Sequence, residues 1–210
     1  MTTPASDSRF EGRIAGLGTA SGTRYVIGMW EDSPFGRFAD VMIEDAAGER
    51  TFLAPSEEIA DYVGATYTFD RTRIVPVAWT RAGDLLEVTA GALTLRLRIG
   101  GVSALGRLLA TVPRRIATRP AWLRLIDGPA RVLAPGSRTA GSAGAGRTEF
   151  YGVTAARRIA DASVDDGGQD RGALAPLLPP VRFGFGSAPA VPHLVDVVTT
   201  IREAGAAGER

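Results

Sequence analysis

The chain has 210 residues, a formal net charge of +1, and 45% hydrophobic and 22% charged residues. That composition is ordinary for a globular protein and creates no overall field drawing the chain to nucleic acid or an anionic membrane. There is no cysteine, no lysine and a single histidine, His193; this excludes disulfides, thiolate chemistry, a lysine Schiff base and any metal site built on several imidazoles.

Residues 1–9 are small and polar, with no basic start ahead of an apolar stretch, so no signal peptide is read. No apolar run reaches the roughly 18–20 residues of a membrane span. The expected setting is therefore the cytoplasm. A flexible terminus is expected over 1–9, one β-rich domain over 10–202, and a disordered tail over 203–210.

Phe10 to Thr19 reads as a short strand, and Thr23 to Trp30 as a second rich in β-formers. Pro34 and Gly36 set a turn within Glu31 to Gly36. Phe38 to Glu44 and Arg50 to Ala54 then form a hairpin about Asp45-Ala46-Ala47-Gly48. Ser56 is an N-cap, with Glu57 and Glu58 in the first turn and Ile59, Tyr62 and Val63 on one face. This short helix should end near Gly64. Thr66 to Trp79 has period-2 character and reads as strand. Leu85 to Thr89 and Leu93 to Ile99 form another hairpin, the latter alternating apolar and polar residues.

From Ser103 the period turns helical, with Leu105, Leu108, Leu109 and Val112 in a stripe. A helical insert is expected from Ser103 to Gly136, with Gly128-Pro129 ending its last helix. Ser137 to Gly146 is a small-residue loop that lacks Walker order and lysine, so it is not read as a phosphate loop. Arg147 to Val164 reads as strand. Val181 to Gly186 alternates, and His193 to Arg202 is a last strand. The fold class is α+β, mainly antiparallel β: a barrel or cone-like curved sheet, because closure removes the edges of so many strands.

The stretch Asp32-Ser33-Pro34-Phe35-Gly36, followed by Phe38, Asp40 and the apolar strand Val41 to Ile43, resembles the acetoacetate decarboxylase-like superfamily. The resemblance covers about 20 residues. It implies a β-cone around an interior cavity, with a carboxylate at the position of Asp40, where glutamate is usual. The family's Schiff-base activity cannot carry over to a chain without lysine.

Three functions follow as expectations. In the first, the cavity binds a small apolar or anionic ligand. Its contacts are Trp30, Phe35, Phe38, Tyr67, Phe150, Tyr151 and Phe183, with Arg147 or Arg182 meeting a carboxylate. In the second, Asp40 or Glu31 serves as acid or base in a lysine-independent enzyme. In the third, the segment 103–138, with seven arginines against Asp127 alone, docks on an acidic partner or membrane. No residue type demands a cofactor, and none is expected. Sparse aromatics without basic interleaving argue against nucleic-acid binding. His193 is read as a surface or capping residue.

Overall fold

The computed structural model describes residues 7–133, 139–142, 147–184 and 189–203. Strand β1 spans Asp7–Thr19, β2 Arg24–Asp32, β3 Phe38–Glu44 and β4 Arg50–Ala54. Helix α1 (Glu57–Gly64) follows, capped as expected by Ser56, whose Oγ accepts the Ile59 N–H at 3.3 Å. Then come β5 (Arg71–Ile74), β6 (Val77–Ala82), β7 (Leu85–Ala90) and β8 (Leu93–Val102). The insert holds α2 (Ala104–Leu109), α3 (Arg114–Ala117) and α4 (Pro120–Leu133). Strands β9 (Ala140–Ser142), β10 (Arg147–Asp166), β11 (Gln169–Asp170), β12 (Leu174–Ala175) and β13 (His193–Glu203) complete the chain.

Among the described residues all thirteen strands join one sheet, whose main path runs β5-β4-β3-β2-β1-β13-β10-β8-β7-β6. Pairing is antiparallel except between β4 and β5. Register irregularities between Val153 and Ala155, and again between Arg157 and Asp161, interrupt the long strand β10. Extra residues there bend the strand and increase its twist. Its first half therefore pairs with β9 and β13, and its second half with β8. The sheet curls until β6 packs near β3, where the Arg37 guanidinium lies 3.6 Å from the Trp79 ring centroid. This is the curved, mainly antiparallel sheet with a helical insert that the pattern of strands and turns implies.

Alternation sends successive side chains to opposite faces. Leu17, Ile27, Met29 and Val41 point into the curl and meet Val88, Leu95 and Leu97 from the far half. All are essentially inaccessible, so this interior is packed side chain on side chain. The intervening residues Phe10, Trp30, Phe38 and Phe52 form a second core on the opposite face, covered by Ile59 of α1 and by Tyr67 and Phe69.

Several boundaries differ from the expected ones. Strand β1 begins at Asp7, inside the segment expected to be flexible, because it pairs with β13 from Asp7 onward and Arg202 grips Asp7 at 2.8 Å. Residues 1–6 and 204–210 lie outside the described residues. The expected strand over Thr66–Trp79 is broken: Thr66 to Asp70 belongs to no strand, and Pro76, with no N–H for a ladder, separates β5 from β6. Helix α4 continues through Gly128-Pro129 to Leu133, and the expected end of the insert at 134–136 lies outside the described residues. Residues 181–184 form no strand, and 185 and 186 are outside the described set. So are 143–146 of the glycine-rich loop.

One buried charge cluster fixes the segment after β12. Glu44, wholly inaccessible at the end of β3, accepts the Arg182 backbone N–H at 2.7 Å and its Nε–H at 3.1 Å. The buried Arg24 guanidinium lies 3.3 Å from the same carboxylate and donates to the carbonyls of Pro179 and Asp45 at 3.0 and 2.8 Å. Removing one member of such a cluster leaves an uncompensated buried charge, at a cost of about 3–5 kcal/mol. Urea unfolding of Glu44→Ala should show a loss of that size; a loss below about 1 kcal/mol would contradict the structural role given to this cluster.

Candidate functional site

The second core is incompletely filled. A cavity of about 70 Å³ lies on the face of the sheet opposite the curl's interior, not inside the cone. Its floor is Phe10, Ile14, Gly28, Asp40 and Thr199 from β1, β2, β3 and β13. Tyr62 and Val63 of α1, with Thr66 and Tyr67, form one wall. Glu149 and Tyr151 of β10 form another, and Val181, Phe183 and Gly184 the cover. The cover is positioned by the Glu44–Arg182 contacts and by the Thr68 N–H, which donates to the Phe183 carbonyl at 2.6 Å.

Asp40 faces this cavity because it lies on the same face of β3 as Phe38 and Met42. Its carboxylate is 3% exposed and accepts the Trp30 Nε1–H at 3.0 Å. Residue 28, directly across the ladder, must be glycine for this seat: a Cβ there would stand 2.7 Å from both Asp40 Oδ2 and Trp30 Nε1. Burial pushes the Asp40 pKa up to about 6, against the opposing hydrogen bond from the indole.

Glu149 is the second acid. It is 1% exposed, and both its oxygens lie 3.0 Å from the Tyr67 hydroxyl, which is in turn 2.6 Å from the Tyr151 hydroxyl. No guanidinium pairs with it among the described residues. Burial pushes its pKa up to about 7, more than the tyrosine hydroxyls hold it down. The same burial, with the neighbouring carboxylate, drives the Tyr67 pKa well above its usual value. Thr199, opposite Tyr151 in the β10–β13 ladder, is 2% exposed, and its buried Oγ1 has no hydrogen-bond partner among the described residues.

The structure brings Trp30, Phe38, Asp40, Tyr67, Tyr151 and Phe183 to one cavity. Phe35 packs behind it, 5.0 Å from the Tyr62 ring centroid. Phe150 does not reach it: neighbours in a strand face opposite ways, and Phe150 lies under the Arg124 guanidinium on the other face. Glu31 is also outside, partly exposed and paired with Arg13 at 3.3 Å and Arg37 at 3.0 Å, because its side chain leaves β2 on the face opposite its neighbour Trp30. Neither expected arginine lines the cavity. Arg147 donates to the Tyr62 carbonyl and Thr66 Oγ1, both at 3.3 Å, while Arg182 is held by Glu44. Sequence reading passed over Glu149. Its signal was period 2: if Tyr151 points inward, Glu149 does too.

A cleft of about 300 Å³ opens at the mouth of the curl. There Arg71 pairs with Glu49 at 3.0 Å and Arg171 with Asp166. The insert lines neither space; it exposes Leu108, Ile116 and Leu125 near Arg107, Arg115 and Arg124. His193 is half-buried at the start of β13, its Nδ1 2.7 Å from the Val191 carbonyl. The described residues hold no cluster of three metal-ligating side chains, and no helix among them is long and apolar enough to cross a membrane.

No protein-family model matches the chain, and no curated protein does. Among solved structures, the chain is similar to acetoacetate decarboxylase from Legionella pneumophila, at 12% identity and a TM-score of 0.43, over 98% of this chain and 88% of that one. It is also similar to an AttH candidate from Nitrosomonas europaea, at 12% identity and a TM-score of 0.26; the match covers 97% of this chain and 52% of that one. These likenesses concern the path of the chain and carry no residue roles.

The raised acids have a consequence for stability. The native state holds their protons more tightly than the unfolded chain. Their contribution is thus fully present below the unfolded values of 3.8 and 4.5 and is lost as pH rises through about 6 for Asp40 and about 7 for Glu149. Between about pH 4 and pH 8 the wild-type unfolding free energy should fall by about 3 kcal/mol more than that of Glu149→Gln. Parallel pH profiles from chemical denaturation would contradict the burial of an ionisable Glu149.

Proposed function

We propose that the protein binds a small, uncharged, largely apolar molecule carrying an oxygen function in this cavity. The observation that carries the reading is the pairing of an aromatic wall with a buried, hydroxyl-bonded Glu149 that no guanidinium among the described residues neutralises. An anion would meet two carboxyl groups and no arginine among the lining residues, and burying it beside them is costly. A neutral ketone or alcohol meets hydrogen-bonding partners of both kinds: carboxylate oxygens that accept and a threonine hydroxyl that donates.

Size limits the ligand. The cavity is about 70 Å³, well below the roughly 300–1,000 Å³ of sites for drug-sized molecules. Even the most efficient tiny ligands gain about 1.5 kcal/mol per non-hydrogen atom, so one of about five atoms binds at micromolar strength at best. Such a ligand is lost on purification, and binding has to be measured with millimolar probe.

The test is saturation-transfer NMR and tryptophan fluorescence with butanone, butanol and butyrate at neutral pH or above. Trp30 lines the cavity and reports occupancy, with Trp30→Phe as the control. The two uncharged probes should bind and butyrate should not. Preferential binding of butyrate, or no binding of either neutral probe, would overturn the proposal.

A further inference from the structure

The helical insert turns one side down onto the sheet and leaves the other open to solvent. Helices α2, α3 and α4 all rest on β10. Each buries one residue against the sheet: Gly106 of α2, Ala117 of α3 and Leu123 of α4. The seating is close. A Cβ on Gly106 would stand 2.2 Å from the Ala156 carbonyl oxygen, and one on Gly152 of β10 would stand 2.9 Å from Thr118 Cα. Successive residues of a helix turn by about 100°, so a residue two positions from a buried one faces nearly the opposite way. Those residues are Leu108 on α2, Arg115 on α3 and Leu125 on α4. All three are exposed, Leu125 by 73%, and Ile116 of α3 is exposed beside them in sequence.

The cations of this side have no local counter-charge. Segment 103–138 carries seven arginines against Asp127 alone in a chain of net charge +1, so the rest of the chain is net negative. Asp127 is already engaged: its Oδ1 accepts the N–H groups of Thr139 and Ala140 at 2.8 and 3.2 Å. Arg114 is paired with Glu11. Arg107 donates to the Val102 carbonyl at 3.3 Å, and the Arg124 guanidinium lies 4.9 Å from the Phe150 ring centroid. Arg115 and Arg119 are exposed. None of these last four meets a carboxylate among the described residues.

We propose that the outer side of α2, α3 and α4 docks the protein on an anionic lipid surface. Charge complementarity selects this partner, and the aliphatic side chains among the cations sharpen the choice. Arginines without carboxylates match the phosphate and carboxylate groups of lipid headgroups, which a guanidinium can grip with two hydrogen bonds. Leu108, Ile116 and Leu125 reach past them to the boundary between headgroups and acyl chains, as the apolar side of an interfacial helix does. An acidic protein would answer the arginines but gives the outward leucines no apolar layer to enter. A second copy of the chain fits poorly: in a two-fold interface the same patch meets itself and opposes guanidinium to guanidinium. The net negative remainder of the chain is repelled by the same membrane, so the field turns the insert toward it. The insert packs on the Phe150 side of β10 and the cavity lies on the Tyr151 side, so docking does not depend on the cavity reading.

The experiment is co-sedimentation of the full chain with vesicles of phosphatidylcholine alone and of a two-to-one mixture of phosphatidylcholine and phosphatidylserine. The chain should partition onto the mixed vesicles at least about tenfold more strongly. That binding should weaken by about tenfold as salt rises from about 0.1 to about 0.5 M. Joint Arg115→Glu and Arg119→Glu substitution should lower it by about 100-fold or more. Leu125→Gln leaves the charge unchanged and should lower it by about tenfold through the apolar contact alone. The substituted side chains are exposed, and circular dichroism checks that each variant is folded. Equal binding to the two vesicle types, or none to either, would overturn the proposal. Wild-type binding by the folded double variant or by folded Leu125→Gln would place the contact elsewhere and overturn it too. A dimer in sedimentation velocity that Leu125→Gln dissociates would give this face to a second copy, and lipid docking would fall.

Discussion

The fold depends on the strict alternation of β1, β2 and β3 across a sheet that has no solvent face at its centre. Ala15, Leu17, Ile27, Met29, Ala39 and Val41 fill the curl, while Phe10, Gly28, Trp30, Phe38 and Asp40 form the floor on the other side. A one-residue slip in any of these strands would exchange the two sets and put Asp40 into the packed interior. The position of the cavity is therefore a consequence of register. The curl interior consumes the aliphatic residues, and the opposite face, roofed by α1 and by Val181 to Gly184, receives the aromatics that leave a small space between them.

Three buried carboxylates among the described residues are solvated in three ways. Glu44 meets two guanidiniums and a backbone N–H, and its work is to tie the segment after β12 to β3. Asp40 meets one indole N–H and sits over a glycine that leaves room for it. Glu149 meets tyrosine hydroxyls. Full charge compensation makes Glu44 a structural ion. Partial compensation leaves Asp40 and Glu149 with pKa values raised to about 6 and about 7, where a proton can come and go near neutral pH. Among the described residues, no cation stands at the Glu149 wall.

Much of the architecture was legible because it rests on local signals. The hairpin Phe38 to Ala54 and the Ser56 cap keep their expected residues, and the apolar alternation of Leu93 to Ile99 places four side chains inside the curl. The change of period at Ser103 marks the insert. The break at Pro76 was also visible in principle, since proline cannot donate within a ladder. The site was less legible because it is assembled across strands far apart in sequence. Asp40 was singled out through a turn resemblance, whereas Glu149 stood in Thr148-Glu149-Phe150-Tyr151 as an acid among aromatics. Alternation along β10 puts Glu149 with Tyr151 on the cavity face and Phe150 on the other. Arg147 and Arg182 illustrate the other gap: a sequence shows where a guanidinium is, but not the carbonyl or carboxylate that already holds it.

The central claim is that Glu149 is a buried carboxyl, solvated by hydroxyls, that exchanges a proton near neutral pH. The most direct measurement is infrared difference spectroscopy of its carboxyl stretch across a pH titration, with Glu149→Gln identifying the band. The account predicts a protonated carboxyl band, shifted as in an apolar setting, that disappears with a midpoint near 7. A midpoint in the ordinary carboxylate range, about 4, would contradict it, because Glu149 would then be solvated or paired as a surface acid is.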